Sequence, residues 1–196
     1  MVVLASASPR RRDLLARICP DFETAPAEID ETLEGRTTPD AVAALALRKA
    51  RVVAARRQEG VVLGADTVVV IDGEALGKPA TDDEARVMLR RLRGRHHEVV
   101  TGIAAVDAAT GREAATAVVS RVLMEDYPDG AIDAYVATGE PLDKAGAYAI
   151  QGEGGRLVAG WAGSFSNIVG LPLEATRRLL AAFGVAVSPD VGGPAA

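Results

Sequence analysis

Four segments of the chain hold side chains in combinations that can do chemistry. The first is Ser6-Ala7-Ser8-Pro9-Arg10-Arg11-Arg12, between an apolar run and an apolar-periodic one. Ser8 followed by Pro9 is an N-cap with the residue best suited to the first helical position. The segment therefore reads as the end of a strand and the start of a helix. Backbone N–H groups at a helix start favour an anion, and hydroxyls and guanidinium groups beside them can add charge-assisted hydrogen bonds to phosphate oxygens. Three arginines there oppose the helix macrodipole, a cost that a bound anion would offset. A solvated basic helix start is the competing reading, and the residues alone leave both open.

The second segment, Gly64-Ala65-Asp66-Thr67, follows an apolar run. A carboxylate at the C-terminal end of a strand stands where open α/β sheets bind ligands. Asp66 could hold Mg2+, orient or deprotonate a water, or simply close a turn. The third is Gly77-Lys78-Pro79. Reading back from Lys78, the glycines are Gly77 and Gly73, and Pro79 replaces the Ser or Thr of a P-loop. That spacing cannot wrap phosphates in the P-loop manner, but Lys78 can still act as a point charge on phosphate. Lys49, on a mostly apolar helical stretch, is a second such lysine, with snorkelling to the surface as its alternative.

The fourth segment is residues 139–152, where Glu140, Asp143, Lys144 and Gln151 lie among Gly139, Gly146 and Gly152. Glycine permits close backbone approach and unusual dihedrals. Gln151 has both donor and acceptor atoms and could read a base edge; an irregular surface loop is the alternative. Gly152-Glu153-Gly154-Gly155 lacks dinucleotide-binding spacing, and no nucleophile elbow is present. His96 and His97 read as structural or exposed, and Cys19 as a packing residue rather than a nucleophile.

These residues need elements to position them. Residues 2–5 read as a short buried strand, with a helix from Pro9 whose buried stripe is Leu14, Leu15 and Ile18. Residues 22–27 read as extended and residues 29–37 as a polar loop. Thr38-Pro39 repeats the capped start, and the helix that follows is expected to run to about residue 59. Residues 61–63 and 67–71 read as two β runs flanking Gly64-Ala65-Asp66, and Asp72-Gly73 is a hairpin signal. Thr81 with Glu84 matches a capping box and Gly94 ends that helix. Strands are expected over 98–106 and 113–123, a helix from Pro128 to about 138, and a last helix over 173–183. Residues 139–170 are glycine-rich and weakly periodic. Alternating elements with hairpins in the middle predict a mixed sheet.

Composition narrows the partners. Apolar residues make up 48% of the 196 and aromatics only 4%, so the core must rest on Ala, Val, Leu and Ile. A net charge of −5 argues against a nucleic-acid polymer, which needs a basic face to release counterions. A locally basic pocket for a small anion remains compatible with it. One cysteine and two histidines exclude an internal disulfide and a cysteine- or histidine-rich metal centre. The longest uncharged run, residues 157–173, is broken by three glycines and a proline, whereas a membrane span needs about 20 predominantly apolar residues. No targeting segment is visible. The expectation is a soluble cytoplasmic protein, with residues 1–187 as one domain and 188–196 as a frayed tail.

Taken in order, the segments resemble the Maf family of nucleoside triphosphate pyrophosphatases over nearly the whole chain. The likeness is carried by Leu4-Ala5-Ser6-Ala7-Ser8-Pro9-Arg10-Arg11, Asp30-Glu31, Lys49-Ala50, Gly64-Ala65-Asp66-Thr67, Gly77-Lys78-Pro79, Thr101-Gly102 and Gly170-Leu171-Pro172-Leu173. Each motif is weak alone; seven in order are specific. Residues 139–152 resemble the subgroup acting on dTTP and UTP. The Arg, Thr and Gln linked to pyrimidine selectivity in that subgroup fall on Arg10, Thr67 and Gln151. A subgroup preferring 7-methyl-GTP lacks the Asp-Lys-Ala-Gly-Ala-Tyr…Gln run, and Ala149 stands where the family usually has Gly.

The resemblance implies hydrolysis between the α- and β-phosphates, giving a nucleoside monophosphate and pyrophosphate. By that analogy Asp66 is the proton acceptor for water. Asp66 and Glu31 would help hold a divalent cation, Mg2+ or Mn2+, and Ser8, Arg10, Lys49 and Lys78 would meet the phosphates. It also implies an α/β fold: a long central mixed β-sheet with helices packed around it, two lobes flanking a nucleotide cleft, and commonly a homodimer. The family is also described as an inhibitor of septum formation, so a regulator without catalysis, or with it, stays open. The failed P-loop spacing sets aside a kinase-like NTPase.

Overall fold

The computed structural model describes residues 1–33 and 37–189. Its strands are β1 (Val2–Leu4), β2 (Phe22–Thr24), β3 (Val61–Ile71), β4 (Glu74–Leu76), β5 (His96–Asp107), β6 (Glu113–Met124) and β7 (Val158–Ala162). Its helices are α1 (Pro9–Ala16), α2 (Pro39–Ala54), α3 (Asp82–Leu92), α4 (Asp129–Val136), α5 (Phe165–Val169) and α6 (Leu173–Ala182). The strands form one mixed sheet in the order β2-β1-β3-β5-β6-β7, with β4 added to β3. β1 lies parallel to both β2 and β3, and all other pairings are antiparallel. The expected α/β class with a mixed sheet is what the chain adopts.

Local chemistry explains the element ends. The hydroxyls of Ser8, Thr38 and Thr81 accept from backbone N–H groups at Arg11, Ala41 and Glu84 and start α1, α2 and α3. Asp72 and Gly73 take φ +56° and +80°, the left-handed pair a tight β3–β4 hairpin requires. α2 stops at Ala54, short of the expected residue 59. Apolar periodicity ends there, and the amides of Arg56 and Arg57 turn back to the carbonyls of Val53 and Ala54.

β3 is one unbroken strand rather than two. Gly64, which reads as punctuation, is instead a contact with α2. A Cβ on Gly64 would stand 2.2 Å from the Ala46 carbonyl oxygen and 2.9 Å from the Ala50 nitrogen. On β5, a Cβ on Gly102 would stand 2.3 Å from the Val42 carbonyl oxygen. Two glycines thus let the α2 backbone lie directly on the sheet. Asp66 consequently sits in mid-strand, not at a strand end. It faces an open edge because β1 pairs only with Val61–Leu63 and β4 only with residues 69–71. That leaves the outer edge of residues 64–68 without a strand partner.

Alternation along β3 divides the core. Val61, Leu63 and Ala65 pack with β1, α1 and α6, whereas Val69 and Ile71 on the same face pack with α3 and α4. On β5, Ile103 and Ala105 belong to the first cluster and Val99 to the second. Thr67 and Thr101, paired across the two strands, lie at the boundary. These clusters are the cores of the two lobes. On the opposite face α2 covers Val62, Ala104 and Val106.

Residues 139–170 are more ordered than their periodicity suggests. They form three short 3-10 helices (Glu140–Asp143, Ala145–Ala147, Glu153–Leu157), then β7 and α5. Of the expected polar loop at 29–37, residues 34–36 lie outside the described residues. Of the expected frayed tail, Ser188 donates its N–H to the Ile18 carbonyl at 2.8 Å, and residues from 190 on lie outside the described set. No helix among the described residues is long and apolar enough to cross a membrane.

His97 is buried and its Nε2 meets the Tyr148 hydroxyl at 2.7 Å. Burial, with a smaller contribution from the charge of His96, pushes its pKa down to about 4. Between the ordinary histidine value and about 4, the unfolded chain binds a proton that the folded chain refuses. Stability should therefore be full above about pH 6.5 and fall towards pH 4, by on the order of 3 kcal/mol. Urea midpoints at pH 7 and 4.5 should show this drop, and His97→Gln should flatten it; an unchanged slope in that variant would contradict the assignment.

Candidate functional site

A cavity of about 580 Å3 opens between the two lobes, against the unpartnered edge of β3. It brings together all eight site residues named from the sequence. Ser8 and Arg10 come from the β1–α1 junction, Glu31 from the segment before α2, and Lys49 from α2. Asp66 and Thr67 come from β3, Lys78 from the segment after β4, and Gln151 from the loop before the last 3-10 helix.

Lys49 does not snorkel. Its ammonium lies 2.6 Å from Asp66 Oδ1 and 2.6 Å from Glu31 Oε1, with side-chain exposures of 5%, 9% and 54% for Lys49, Asp66 and Glu31. A lysine this deeply buried keeps its charge only when paired, and the two carboxylates supply the pairing. The close seating of α2 on Gly64 sets the height of Lys49 over β3. For Glu31, partial burial pushes the carboxyl up. The hydrogen bond and charge of Lys49, with the charges of Lys78 and Arg11, outweigh this and hold it below its ordinary range.

Arg11 has a role that its place in the motif does not reveal. Its Nε donates to the Gly170 carbonyl at 3.0 Å, and its two terminal nitrogens donate to Ser6 Oγ at 3.3 Å and Thr67 Oγ1 at 3.1 Å. Burial lowers its pKa, offset by the charges of Asp66 and Glu31. Three adjacent arginines at a helix start do not reveal which one turns inward; only the helix phase does. Thr67 Oγ1 lies 2.9 Å from Thr101 Oγ1, which donates at 3.1 Å to the Asn167 carbonyl. The Thr67 hydroxyl is thereby tied to Arg11 and Thr101 and forms a fixed floor between the lobes.

Other groups stay uncommitted. Among the described residues, no hydrogen bond or ion pair holds the side chains of Arg10, Lys78 or Gln151. Ser8 Oγ accepts from the Arg11 amide at 3.4 Å and retains its own proton to donate. An anionic ligand here would thus meet two unpaired cations, a free hydroxyl and a free amide. Gly146 supports the opposite wall: at φ +69°, its Cβ position lies 2.9 Å from the Val69 side chain. Ala149, at a position where glycine is usual in the resembled family, does not have positive φ, so its methyl group costs the backbone nothing.

Among the described residues there is no group of three or more His, Cys, Asp or Glu that could cage a metal. Mg2+ bound with substrate phosphates commonly uses only one or two protein carboxylates. Asp66 and Glu31, both reaching the same Lys49 ammonium, are oxygen donors of the right kind and number.

A family model described as "Maf-like protein" matches residues 1–183. A protein of Moorella thermoacetica named dTTP/UTP pyrophosphatase is 54% identical over 187 residues, covering 95% of this chain and 96% of its own. Proteins with the same name from Myxococcus xanthus and Pelotomaculum thermopropionicum are 51% and 47% identical, covering 94% and 93% of this chain and 93% and 96% of their own. The solved structure of the Staphylococcus aureus Ham1 protein is similar over 64% of this chain and 72% of its own, at 15% identity and a TM-score of 0.45, a likeness too distant to argue from.

Proposed function

Because this chain belongs to the Maf family, we propose that it is a nucleoside triphosphate pyrophosphatase acting on dTTP and UTP. The observation that carries the proposal is the arrangement of one cavity: Asp66, clamped by Lys49, shares it with the unpaired cations Arg10 and Lys78.

In this reading the triphosphate lies with its phosphates towards Arg10, Lys78 and the Ser8 hydroxyl. Water attacks the α-phosphorus and gives its proton to Asp66. The bond from that phosphorus to the bridging oxygen breaks, and pyrophosphate leaves with the bridging oxygen and its electron pair. Charge developing on the phosphoryl oxygens is met by fixed cations, the kind of stabilisation that serves phosphoryl transfer best. Lys49 holds Asp66 and Glu31 in place rather than spending its charge on the substrate. A divalent cation, Mg2+ or Mn2+, would be held by Asp66 and Glu31 and would supply charge neutralisation at the phosphoryl oxygens. Gln151 reads the pyrimidine edge, and Thr67 and Arg11 fix the floor beneath it. The lone buried Cys19 suits a cytoplasmic nucleotide pool, and a homodimer is the assembly expected from the family.

The test incubates pure protein with dTTP, UTP, CTP and purine triphosphates in Mg2+ or Mn2+ and identifies the products. Monophosphate with pyrophosphate from dTTP and UTP is expected. Orthophosphate release, or no turnover with either metal, would overturn the proposal. Lys78→Ala should lower kcat/KM for all substrates alike. Gln151→Ala should instead erode the preference for dTTP and UTP by about tenfold or more, since an unpaired polar edge is strongly discriminated. Equal losses across all bases for Gln151→Ala would contradict its assignment.

A further inference from the structure

We propose that Glu140 is a positioning residue for base selectivity, acting through Gln151; this rests on the reading above that Gln151 meets the base. Gln151 lies exposed at the cavity rim with no partner of its own among the described residues. An unsupported amide would sample many orientations, and ordering it on binding would cost affinity. The chain on both sides of it is pinned, and both pins lead to one carboxylate.

Glu140 Oε1 accepts from the Tyr135 hydroxyl at 2.9 Å and from the Gly154 amide at 3.2 Å. Its Oε2 accepts from the Glu153 amide at 3.2 Å. The Tyr135 hydroxyl in turn accepts from the Ala149 amide at 3.3 Å. Residues 149 and 153–154 are therefore tied to the same Tyr135–Glu140 pair, and Gln151 is the middle of the short span between them. Glu153 and Gly154 open the 3-10 helix Glu153–Leu157, where backbone amides lack partners within the helix; Glu140 supplies what a local cap would otherwise provide. Burial first, and then the hydrogen bond to Glu140, raise the Tyr135 pKa, so the phenol stays a donor.

The glycines in this span are shaped to the carboxylate. Gly152 has φ +87° and a Cβ there would come 2.9 Å from Glu140 Oε2. A Cβ on Gly154 would come 2.5 Å from the Tyr135 hydroxyl. The backbone can wrap the Tyr135–Glu140 pair only because these two side chains are absent. With both oxygens accepting from the protein, Glu140 acts on substrate through the loop it holds.

The experiment measures kcat and KM for dTTP, UTP, CTP and GTP in Glu140→Ala, Glu140→Gln, Tyr135→Phe, Gln151→Ala and the double variant Glu140→Ala/Gln151→Ala. Glu140→Ala should raise KM for dTTP and UTP about tenfold, the scale of one lost oriented polar contact, with kcat changed by less than about threefold. The preference over CTP should narrow in parallel, with Glu140→Gln and Tyr135→Phe shifting it the same way but less. The double variant should show the selectivity of Gln151→Ala alone, because residues acting as one unit are not additive.

If Glu140→Ala fails to fold, Glu140→Gln and Tyr135→Phe decide the matter. Gln151→Ala shifting selectivity while all the Glu140 and Tyr135 variants keep it, or additive effects in the double variant, would overturn the proposal and leave the Gln151 reading standing. A uniform fall in kcat across bases with a lowered melting temperature would mark Glu140 as merely structural and also overturn it. If Gln151→Ala leaves selectivity unchanged, the reading of Gln151 fails and this inference with it.

Discussion

Asp66→Asn is expected to lower kcat by about 10^3-fold or more while leaving nucleotide affinity within a few fold, the scale associated with a positioned general base. The change is nearly isosteric. The amide oxygen can still accept from the Lys49 ammonium, which keeps its partner Glu31 at 2.6 Å, so α2 and β3 should hold their spacing. What is lost is the basic oxygen that takes the proton from the attacking water, one negative charge beside Lys49, and one of the two carboxylates that would hold the divalent cation. Arg10, Lys78 and Ser8 are untouched, and they are the groups placed at the phosphates. Single-turnover kinetics on dTTP, with calorimetric binding of a non-hydrolysable dTTP analogue, separate the two effects. A variant keeping more than about a tenth of wild-type kcat would remove Asp66 from the role of base. If the chain also influences cell division without catalysis, that effect should survive in Asp66→Asn.

Gly64→Ala is expected to be strongly destabilising for a single added methyl group. Its Cβ would stand 2.2 Å from the Ala46 carbonyl oxygen and 2.9 Å from the Ala50 nitrogen. Both contacts are backbone atoms of a helix, so no side chain can rotate away; either α2 lifts or β3 bends. Overpacking against rigid neighbours costs about 3 kcal/mol or more, which for a chain of this size lowers the melting temperature by about 6–12 °C. The same lift would carry Lys49 away from Asp66, so activity should fall in molecules that remain folded. Gly77→Ala is the control, since a Cβ there meets nothing within 4 Å. A Gly64→Ala protein melting within about 2 °C of wild type would refute the close seating of α2.

Most of what could be read along the chain was local. The hydroxyl caps at Ser8, Thr38 and Thr81, the Asp72-Gly73 turn and the long strands after Gly94 each follow from a few adjacent residues, and the structure has them. Less visible was anything decided by contact between distant segments. Gly64 looks like a break in a strand because glycine is poor at holding one; only the arrival of α2 makes its missing side chain a requirement. Asp66 reads as a strand end because Gly64 reads as the place where the strand stops. It reaches the cavity because β1 stops, which is a property of a different segment. Lys49 could be placed on a helix but not given a direction, since burial of its charge depends on Glu31 and Asp66 from either side. The weak periodicity of residues 139–170 hides several short elements held by contacts that no short window shows: Glu140 accepts from the Glu153 and Gly154 amides, and β7 pairs with β6. The seven ordered motifs still converged on one cavity, because short motifs report which side chains must meet even where the path bringing them together is invisible.

The β3–β5 ladder has ten consecutive rungs, from Val61 opposite Asp107 to Val70 opposite Glu98. One lobe hangs from its first half and the other from its second, with no slack segment between them. Such a joint behaves as a torsion bar rather than a door hinge. A change in mouth width is shared among every rung as a small increment of twist, and no single residue serves as the pivot. The jaw angle presented to a nucleotide is therefore a stiffness property of the whole ribbon, fixed when the chain folds and tuned by any substitution that alters how strongly that ribbon coils.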